Sequence, residues 1–453
     1  MVKKPTISVI GVGYVGLCTA VGFASRGYTV VCSDVDAGKV EKVKNGVPPF
    51  HEPKLPQMLE KSIRKGYLTC LVNQTQAAVL GTDITYVAVG TPSKADGSID
   101  LKYIEESSHE IGKALQKKSK YHVVLVKSTV VPGTTQNTVK PILEAESIKT
   151  CGKDFGLCMN PEFLRQGSAF QDTSNPDRVV IGSFDEKSGN TIERLYTEFY
   201  HPNVPRIIRT SLATAELIKY ASNAMLATKI SFINTIANIC EEIPGADVKI
   251  VATAMGLDKR IGPLFLDAGL GYGGSCFPKD VKALIACSKA VGYTPELLDS
   301  VEDVNHLQPL KAVELCRRKL GGLEGKRIAV LGLAFKPDTD DMREARVIPI
   351  VNQLLYEGAH VSAYDPVAVE AAKTIFGNKI FYADSAINCL RDADCAILVT
   401  EWAEFKKLTP EDFKKNMRQP ILIDGRRIFD PEEYGRKLQF AAIGLGSLAD
   451  SKE

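Results

Sequence analysis

In the run GYGGSCFPKD, residues 271–280, Cys276 follows a string of glycines and is itself followed within four residues by Lys279 and Asp280. A thiol set in close-approach backbone beside ionisable groups has the elements of a nucleophile, although the same residues would also make an ordinary tight loop. It attacks as thiolate, so its pKa must be lowered, a task for a neighbouring cation such as Lys219 or Lys279. The chemistry that needs it is the oxidation of an aldehyde onward to an acid. Thiolate adds to the aldehyde, hydride leaves the thiohemiacetal, and water cleaves the thioester. An enzyme that stops at a ketone needs a general base and leaves Cys276 without a task. The developing oxyanion calls for donors, and the Lys219 ammonium and Asn223 amide suit it. Hydrolysis of the thioester needs a base. Glu162 in MNPEFLRQGSA lies in a turn between two small structural units, while Asp280 would serve as a second base or as a brace for Lys219. Residue types alone do not choose between the two carboxylates.

These groups need a scaffold to hold them. TISVIGVGYVGLCTAVGFASRGYTVVCSD reads as strand, glycine turn, helix and second strand ending at Asp34. Gly11 permits the tight turn, Gly13 lets the backbone approach a pyrophosphate, and Gly16 lets helix and strand pack closely. The phosphates would lie at the helix amino terminus, and Asp34 would accept the ribose hydroxyls while repelling a 2′-phosphate, which favours NAD over NADP. Strand-like runs at ITYVAVGTP and HVVLVKSTVVPG end in Thr91 and Thr129, both candidates to face the cofactor, or else simple caps of the next element. Residues 211–242 contain no proline or glycine and predict one helix of roughly 48 Å, apolar nearly all round and so expected to be buried on every side. Glu216, Lys219 and Asn223 share one face of it. From Lys326 the plan of strand, turn and helix begins again in KRIAVLGLAFKPDTDD, without the second and third glycines. That half is not expected to bind a dinucleotide in the same way. Lys336 stands where backbone would have met phosphate and suits a nucleotide phosphate as a point charge, with a solvated loop lysine as the plain alternative.

Composition sets limits. A chain of 453 residues with 44% hydrophobic and 24% charged residues is long enough for two or three cored domains, and a net charge of +2 without a basic block gives no reason to expect nucleic acid. MVKKPTISVIGVG reads as a first strand and not a signal peptide, and no apolar run approaches the roughly 20 residues of a membrane span. The 11 cysteines without CxxC pairs and the 6 unclustered histidines point to reduced thiols in the cytoplasm and no metal site. The polar tail GSLADSKE is expected to fray.

GVGYVG, VKSTVVPGTT, NPEFLRQGSA, AELIKYASNAMLATKISF, GYGGSCFPKD and LGLAFKPDTDDMRE, in this order over nearly the whole chain, resemble the motifs of the UDP-glucose/GDP-mannose dehydrogenase family. The resemblance implies an α/β protein of two Rossmann-like doubly wound domains joined by a long central helix and a helical dimerisation region. Residues 1–205 would bind NAD, 206–310 would form the central dimerisation domain carrying the catalytic Lys and Cys, and 311–453 would bind the UDP-sugar. It implies Cys276 as nucleophile, Lys219 and Asn223 as oxyanion donors, Glu162 for thioester hydrolysis, Asp280 as its assistant and Thr129 for positioning water. Besides Glu162, Lys219 and Asn223, the substrate contacts would be Arg260, Tyr272, Gly273, Phe335 and Lys336, with Arg260 reaching the site of a partner in a homodimer or larger assembly. Arg343 would touch the cofactor. The implied reaction is a four-electron oxidation at C6 of UDP-glucose, with GDP-mannose or a UDP-N-acetylhexosamine as alternative substrates and a silent NAD and nucleotide-sugar binding module as a rival of another class. One position departs from the pattern. Gln166 stands where the family commonly has Glu, which bears on cofactor affinity and closure more than on the chemistry.

Overall fold

A computed structural model describes residues 4–447. Contacts divide the chain into two compact units, Met1–Ser222 and Asn223–Glu453.

The first unit is built on strands β1 (Ile7–Ile10), β2 (Val30–Asp34), β3 (Leu68–Val72), β4 (Ile84–Val87), β5 (Val123–Val126), β6 (Gly156–Met159), β7 (Arg178–Ser183) and β8 (Arg206–Thr210). They form one sheet in the order β3-β2-β1-β4-β5-β6-β7-β8, parallel except where β6 meets β7. The order reverses between β1 and β4, the place where a doubly wound sheet opens a crevice for a ligand. ISVI, ITYV, VVLV and GLCM are buried at every position, because a parallel sheet covered by helices on both faces has no wet side. One polar network crosses this core. Thr82 Oγ1 donates to Ser8 Oγ at 3.0 Å, Ser8 Oγ and Thr85 Oγ1 lie 2.7 Å apart, and Thr85 Oγ1 meets His122 Nε2 at 2.7 Å.

The second unit repeats the plan with β9 (Arg327–Leu331), β10 (His360–Tyr364), β11 (Phe381–Tyr382), β12 (Cys395–Leu398), β13 (Ile421–Asp424) and β14 (Gln439–Ala442), all parallel in the order β11-β10-β9-β12-β13-β14. The fold is thus two doubly wound α/β halves with a long helix, Leu212–Glu241, between them in the chain. No helix among the described residues is long and apolar enough to cross a membrane.

Two expectations need correction. The long helix is not buried on every side: Leu217, Met225, Phe232 and Ile239 are 44%, 59%, 48% and 50% exposed, spaced so that they form one apolar stripe. The hydrophobic pattern fixed the amount of apolar surface but not how much of it the chain itself covers. Nor does the whole tail fray: Gly446 N–H donates to Ala246 O and Gly245 N–H to Ser447 O, both at 2.9 Å. The rest of GSLADSKE lies outside the described residues.

Candidate functional site

The glycine turn of the first unit is shaped for a dinucleotide. Gly11 adopts φ +95°, and a Cβ there would meet Ala88 O at 2.6 Å, so only glycine makes this turn. A Cβ on Gly16 would lie 1.9 Å from Gly11 O, whereas a Cβ on Gly13 would meet nothing within 4 Å. The space beside Gly13 is therefore open, at the uncapped amino terminus of the helix Tyr14–Ser25, which has no acidic residue in its first turn. That is where a pyrophosphate is favoured. Asp34 ends β2 half-buried, one oxygen accepting from Val12 N–H at 2.7 Å and the other from Asp36 N–H at 2.9 Å. Each carboxylate oxygen keeps a further lone pair for a ribose hydroxyl. These residues fit NAD. Thr91 follows β4 and Thr129 follows β5, both half-buried.

The corresponding turn of the second unit is closed by its own acid. Asp365, 1% exposed, accepts from Leu333 N–H, Ala334 N–H and Trp402 Nε1 through one oxygen, at 2.7, 3.0 and 3.0 Å. Its other oxygen takes Val367 N–H and Ala368 N–H. An acid so enclosed is not presented to a ribose, in keeping with the missing glycines.

Glu162 and Lys219 meet within the first unit. Their side chains, 8% and 5% exposed, pair at 2.9 Å, and the other Glu162 oxygen accepts Leu164 N–H at 2.6 Å. Burial pushes the Glu162 carboxyl up, but Lys219, the Leu164 amide and Lys127 together hold it below the ordinary value. Glu216, one turn before Lys219, is wholly buried and accepts Gly133 N–H and Thr135 N–H at 2.6 and 2.8 Å. It thereby ties the long helix to the turn that follows Thr129. The loop after Glu162 is tied to the glycine turn. Tyr14 hydroxyl donates to buried Glu52, whose two oxygens accept Gly167 N–H at 3.0 Å and Phe170 N–H at 3.2 Å. Gln166 stands half-buried in this tethered loop.

In the second unit Asp280, 1% exposed, accepts Asn223 Nδ2 and Lys279 Nζ, each at 2.6 Å. Asp280 and Lys279 belong to the first turn of the helix Phe277–Ala290, and Cys276 is its exposed amino-terminal cap. A helix amino terminus favours negative charge, the setting a thiolate needs. The loop before Cys276 rests on two other segments. A Cβ on Gly274 would lie 2.7 Å from the Phe335 ring, and Gly274 N–H donates to Arg343 O at 2.9 Å. Gly273 likewise lies against Phe335 Cβ and Glu344 O. Tyr272 is buried, its hydroxyl donating to Glu302, while Asn305 holds its backbone on both sides at 2.7 and 3.1 Å. Lys336 Nζ stands 5.6 Å from the Phe335 ring centre, and the Arg343 guanidinium forks onto Asp341. Arg260 lies on an exposed turn, 89% exposed and paired with Asp258. Among the described residues no group of three or more His, Cys, Asp or Glu could hold a metal ion.

Sequence reasoning placed Glu216 on one face with Lys219 and Asn223 without finding its partners, and it did not find Glu52 or Lys127 as supports of these groups. Their partners lie tens of residues away in the chain, so spacing carries no signal of them.

Comparison with known proteins finds one family along three segments of the chain. The NAD binding domain of the UDP-glucose/GDP-mannose dehydrogenase family matches residues 5–200, its central domain 213–307 and its UDP binding domain 329–431. The UDP-glucose 6-dehydrogenase TuaD of Bacillus subtilis strain 168 is 44% identical over 427 residues, 94% of this chain and 90% of that protein. Among solved structures, a UDP-glucose dehydrogenase from the hyperthermophilic archaeon Pyrobaculum islandicum superposes with a TM-score of 0.90 at 38% identity, covering 98% of each chain. A UDP-D-ManNAc dehydrogenase from Pyrococcus horikoshii gives 0.85 at 28% identity, covering 97% of this chain and 99% of its own. With a matching model for each of its three segments and a dinucleotide turn that fits the cofactor, this chain belongs to the UDP-glucose/GDP-mannose dehydrogenase family and is an NAD-dependent dehydrogenase.

Proposed function

We propose that this chain oxidises the primary alcohol at C6 of UDP-glucose to a carboxylate, reducing two NAD and passing through a thiohemiacetal and a thioester on Cys276. The observation that carries this reading is the exposed thiol at the amino terminus of the helix Phe277–Ala290, whose first turn buries Asp280 against Asn223 and Lys279. A dehydrogenase that stopped after one hydride would have no use for such a thiol.

Bound NAD supplies the hydride acceptor for both oxidations, and side chains do the rest. The first oxidation passes a hydride from C6 to NAD and the hydroxyl proton to water, leaving an aldehyde. The Cys276 thiolate then forms a bond to the aldehyde carbon, and the ammonium of Lys219 and the amide of Asn223 stabilise the resulting oxyanion. Loss of the second hydride gives the thioester. Water positioned by Thr129 adds to it, Glu162 accepts the proton with Asp280 assisting, and the carbon–sulfur bond breaks to return thiolate and carboxylate. Four electrons leave the substrate and one oxygen enters from water. Arg260, Tyr272, Gly273, Phe335 and Lys336 hold the nucleotide and sugar, a handle whose binding energy positions a small reacting group. Arg343 and Thr91 serve the cofactor side.

UDP-glucose is favoured over other sugar nucleotides by the gradient of identity, 44% and 38% to proteins named for it against 28% to one named for UDP-D-ManNAc. The exposed stripe on the long helix supports a homodimer built on the central segment, residues 206–310, between an NAD domain at 1–205 and a UDP-sugar domain at 311–453. We place the enzyme in the cytoplasm, where its 11 cysteines stay reduced.

The test is the NADH formed per UDP-glucose consumed, with sugar nucleotide limiting and NAD in excess. Two supports the thioester route. One means that the reaction ends at the aldehyde and that Cys276 is incidental.

A further inference from the structure

Lys127 follows β5, directly before the Ser128–Thr129 pair, and its side chain is buried with its residue 9% exposed. Its ammonium donates to Asn160 Oδ1 at 2.8 Å. Asn160 is fixed from every side: Tyr196 hydroxyl donates to the same oxygen at 2.5 Å, Asn160 Nδ2 donates to Val180 O at 2.8 Å, and its own N–H donates to Val126 O at 2.8 Å. Two residues further on, Glu162 grips Lys219. The short Asn160–Pro161–Glu162 segment therefore engages two buried lysines from two different elements, one through an amide and one through a carboxylate. Glu162 and Lys219 are the charged groups that face Lys127, and Tyr196 is the titratable group behind Asn160.

We infer that Lys127 is a positioning residue for the reaction, which fixes the Asn160–Glu162 turn through Asn160 and supplies the second positive charge that keeps the buried Glu162 a carboxylate. The inference rests on the reading of Glu162 as the working base. A buried carboxylate with one lysine makes a neutral pair, and its desolvation then favours proton transfer or uptake; a second ammonium opposes protonation of the carboxylate. Burial in turn pulls the Lys127 amine down to about 8, with Glu162 opposing and Lys219 adding to the fall. The second charge is thus present at neutral pH and leaves on the alkaline side.

The experiment is the pH profile of kcat with UDP-glucose and saturating NAD for the wild type, Lys127→Met, Lys127→Gln and Lys127→Arg. Without the charge, the acid-side inflection is expected to move up by about one unit or more in the Met and Gln variants. In the same two variants kcat at pH 7 should fall about tenfold or more while KM for UDP-glucose stays within about threefold. Arg keeps the charge and should keep the wild-type inflection. If Met does not fold, Gln, which can still donate to Asn160, decides alone. An inflection that stays put in the Met and Gln variants, whatever their rate or melting temperature, overturns the inference and leaves Lys127 a structural lysine. Failure of the underlying reading looks different: Glu162→Gln then turns over UDP-glucose at the wild-type rate, and both fall together.

Discussion

Asp280 receives hydrogen bonds from Asn223 and Lys279, whereas Glu162 holds Lys219 and the Leu164 amide. The two carboxylates that residue types could not tell apart thus have different partners. Asp280 orients the Asn223 amide, and Glu162 sits beside the Lys219 ammonium with its charge held. Replacing Glu162 by Gln removes the proposed base while keeping the shape. In the proposed route both hydrides leave before hydrolysis, so this variant should release a rapid burst of two NADH per site and then turn over about a hundredfold or more slower, as seen in stopped-flow absorbance. A burst of one, or none, would move Glu162 to an earlier step. Cys276→Ser should release no more than one NADH per UDP-glucose and form no acid, yet bind UDP-glucose within about threefold of wild type by calorimetry, since the thiol is asked only for covalent chemistry. Cys276, Glu162, Lys219 and Asn223 stood out as candidates in the sequence because reactive residue types stand in short, distinctive runs. Asn160 and the partners of Glu216 did not, because a buried amide or carboxylate in a helix or turn looks like any other until the group across the fold is seen.

At the scale of elements, the glycine turn allows a clean separation of fold from ligand. Gly13 has φ −69°, which any residue can adopt, and open space where a Cβ would go. Gly13→Ala should therefore change stability by no more than about 0.5 kcal/mol while raising the KM for NAD about tenfold or more, because the new methyl meets only the pyrophosphate. Gly16→Ala drives a methyl into Gly11 O and should lower the melting temperature even without NAD. Equal effects of the two on stability would mean that the turn is structural. The alternation of strand, turn and helix was legible across both halves, since fully buried parallel strands read as short apolar runs between glycines. The polar network inside the first sheet was not. Burial lowers the His122 imidazole to about 3, so the folded chain resists a proton that the unfolded chain takes up near 6.5. This contribution to stability is complete above about 6.5 and is lost as pH falls toward 3. Between pH 7 and 5 it amounts to about 2 kcal/mol, which urea unfolding should find in the wild type and not in His122→Gln.

The whole molecule raises a question that neither unit answers alone: what covers the stripe of Leu217, Met225, Phe232 and Ile239. A contiguous apolar face of this kind on a helix is the usual mark of a partner, and a second copy offers the same stripe in a two-fold arrangement. If Arg260, 89% exposed on its turn, completes the site of that second copy, then no subunit is active by itself. The consequence can be counted. Cys276→Ser and Arg260→Ala subunits should each be nearly inactive as pure proteins. Mixed in equal amounts after mild dissociation, half of the dimers pair one of each, and one of the two sites in such a pair has both an intact thiol and an intact arginine from its neighbour. About a quarter of the wild-type rate should return if each site of a closed two-fold dimer draws on both chains. If Arg260 served its own chain, every site in the mixture would lack one group or the other, and the rate would stay at the level of the separate variants. Placing Phe232→Glu in both subunits should abolish the recovery as well, and sedimentation of that variant as a monomer would identify the stripe on the long helix as the surface through which the arginine is delivered.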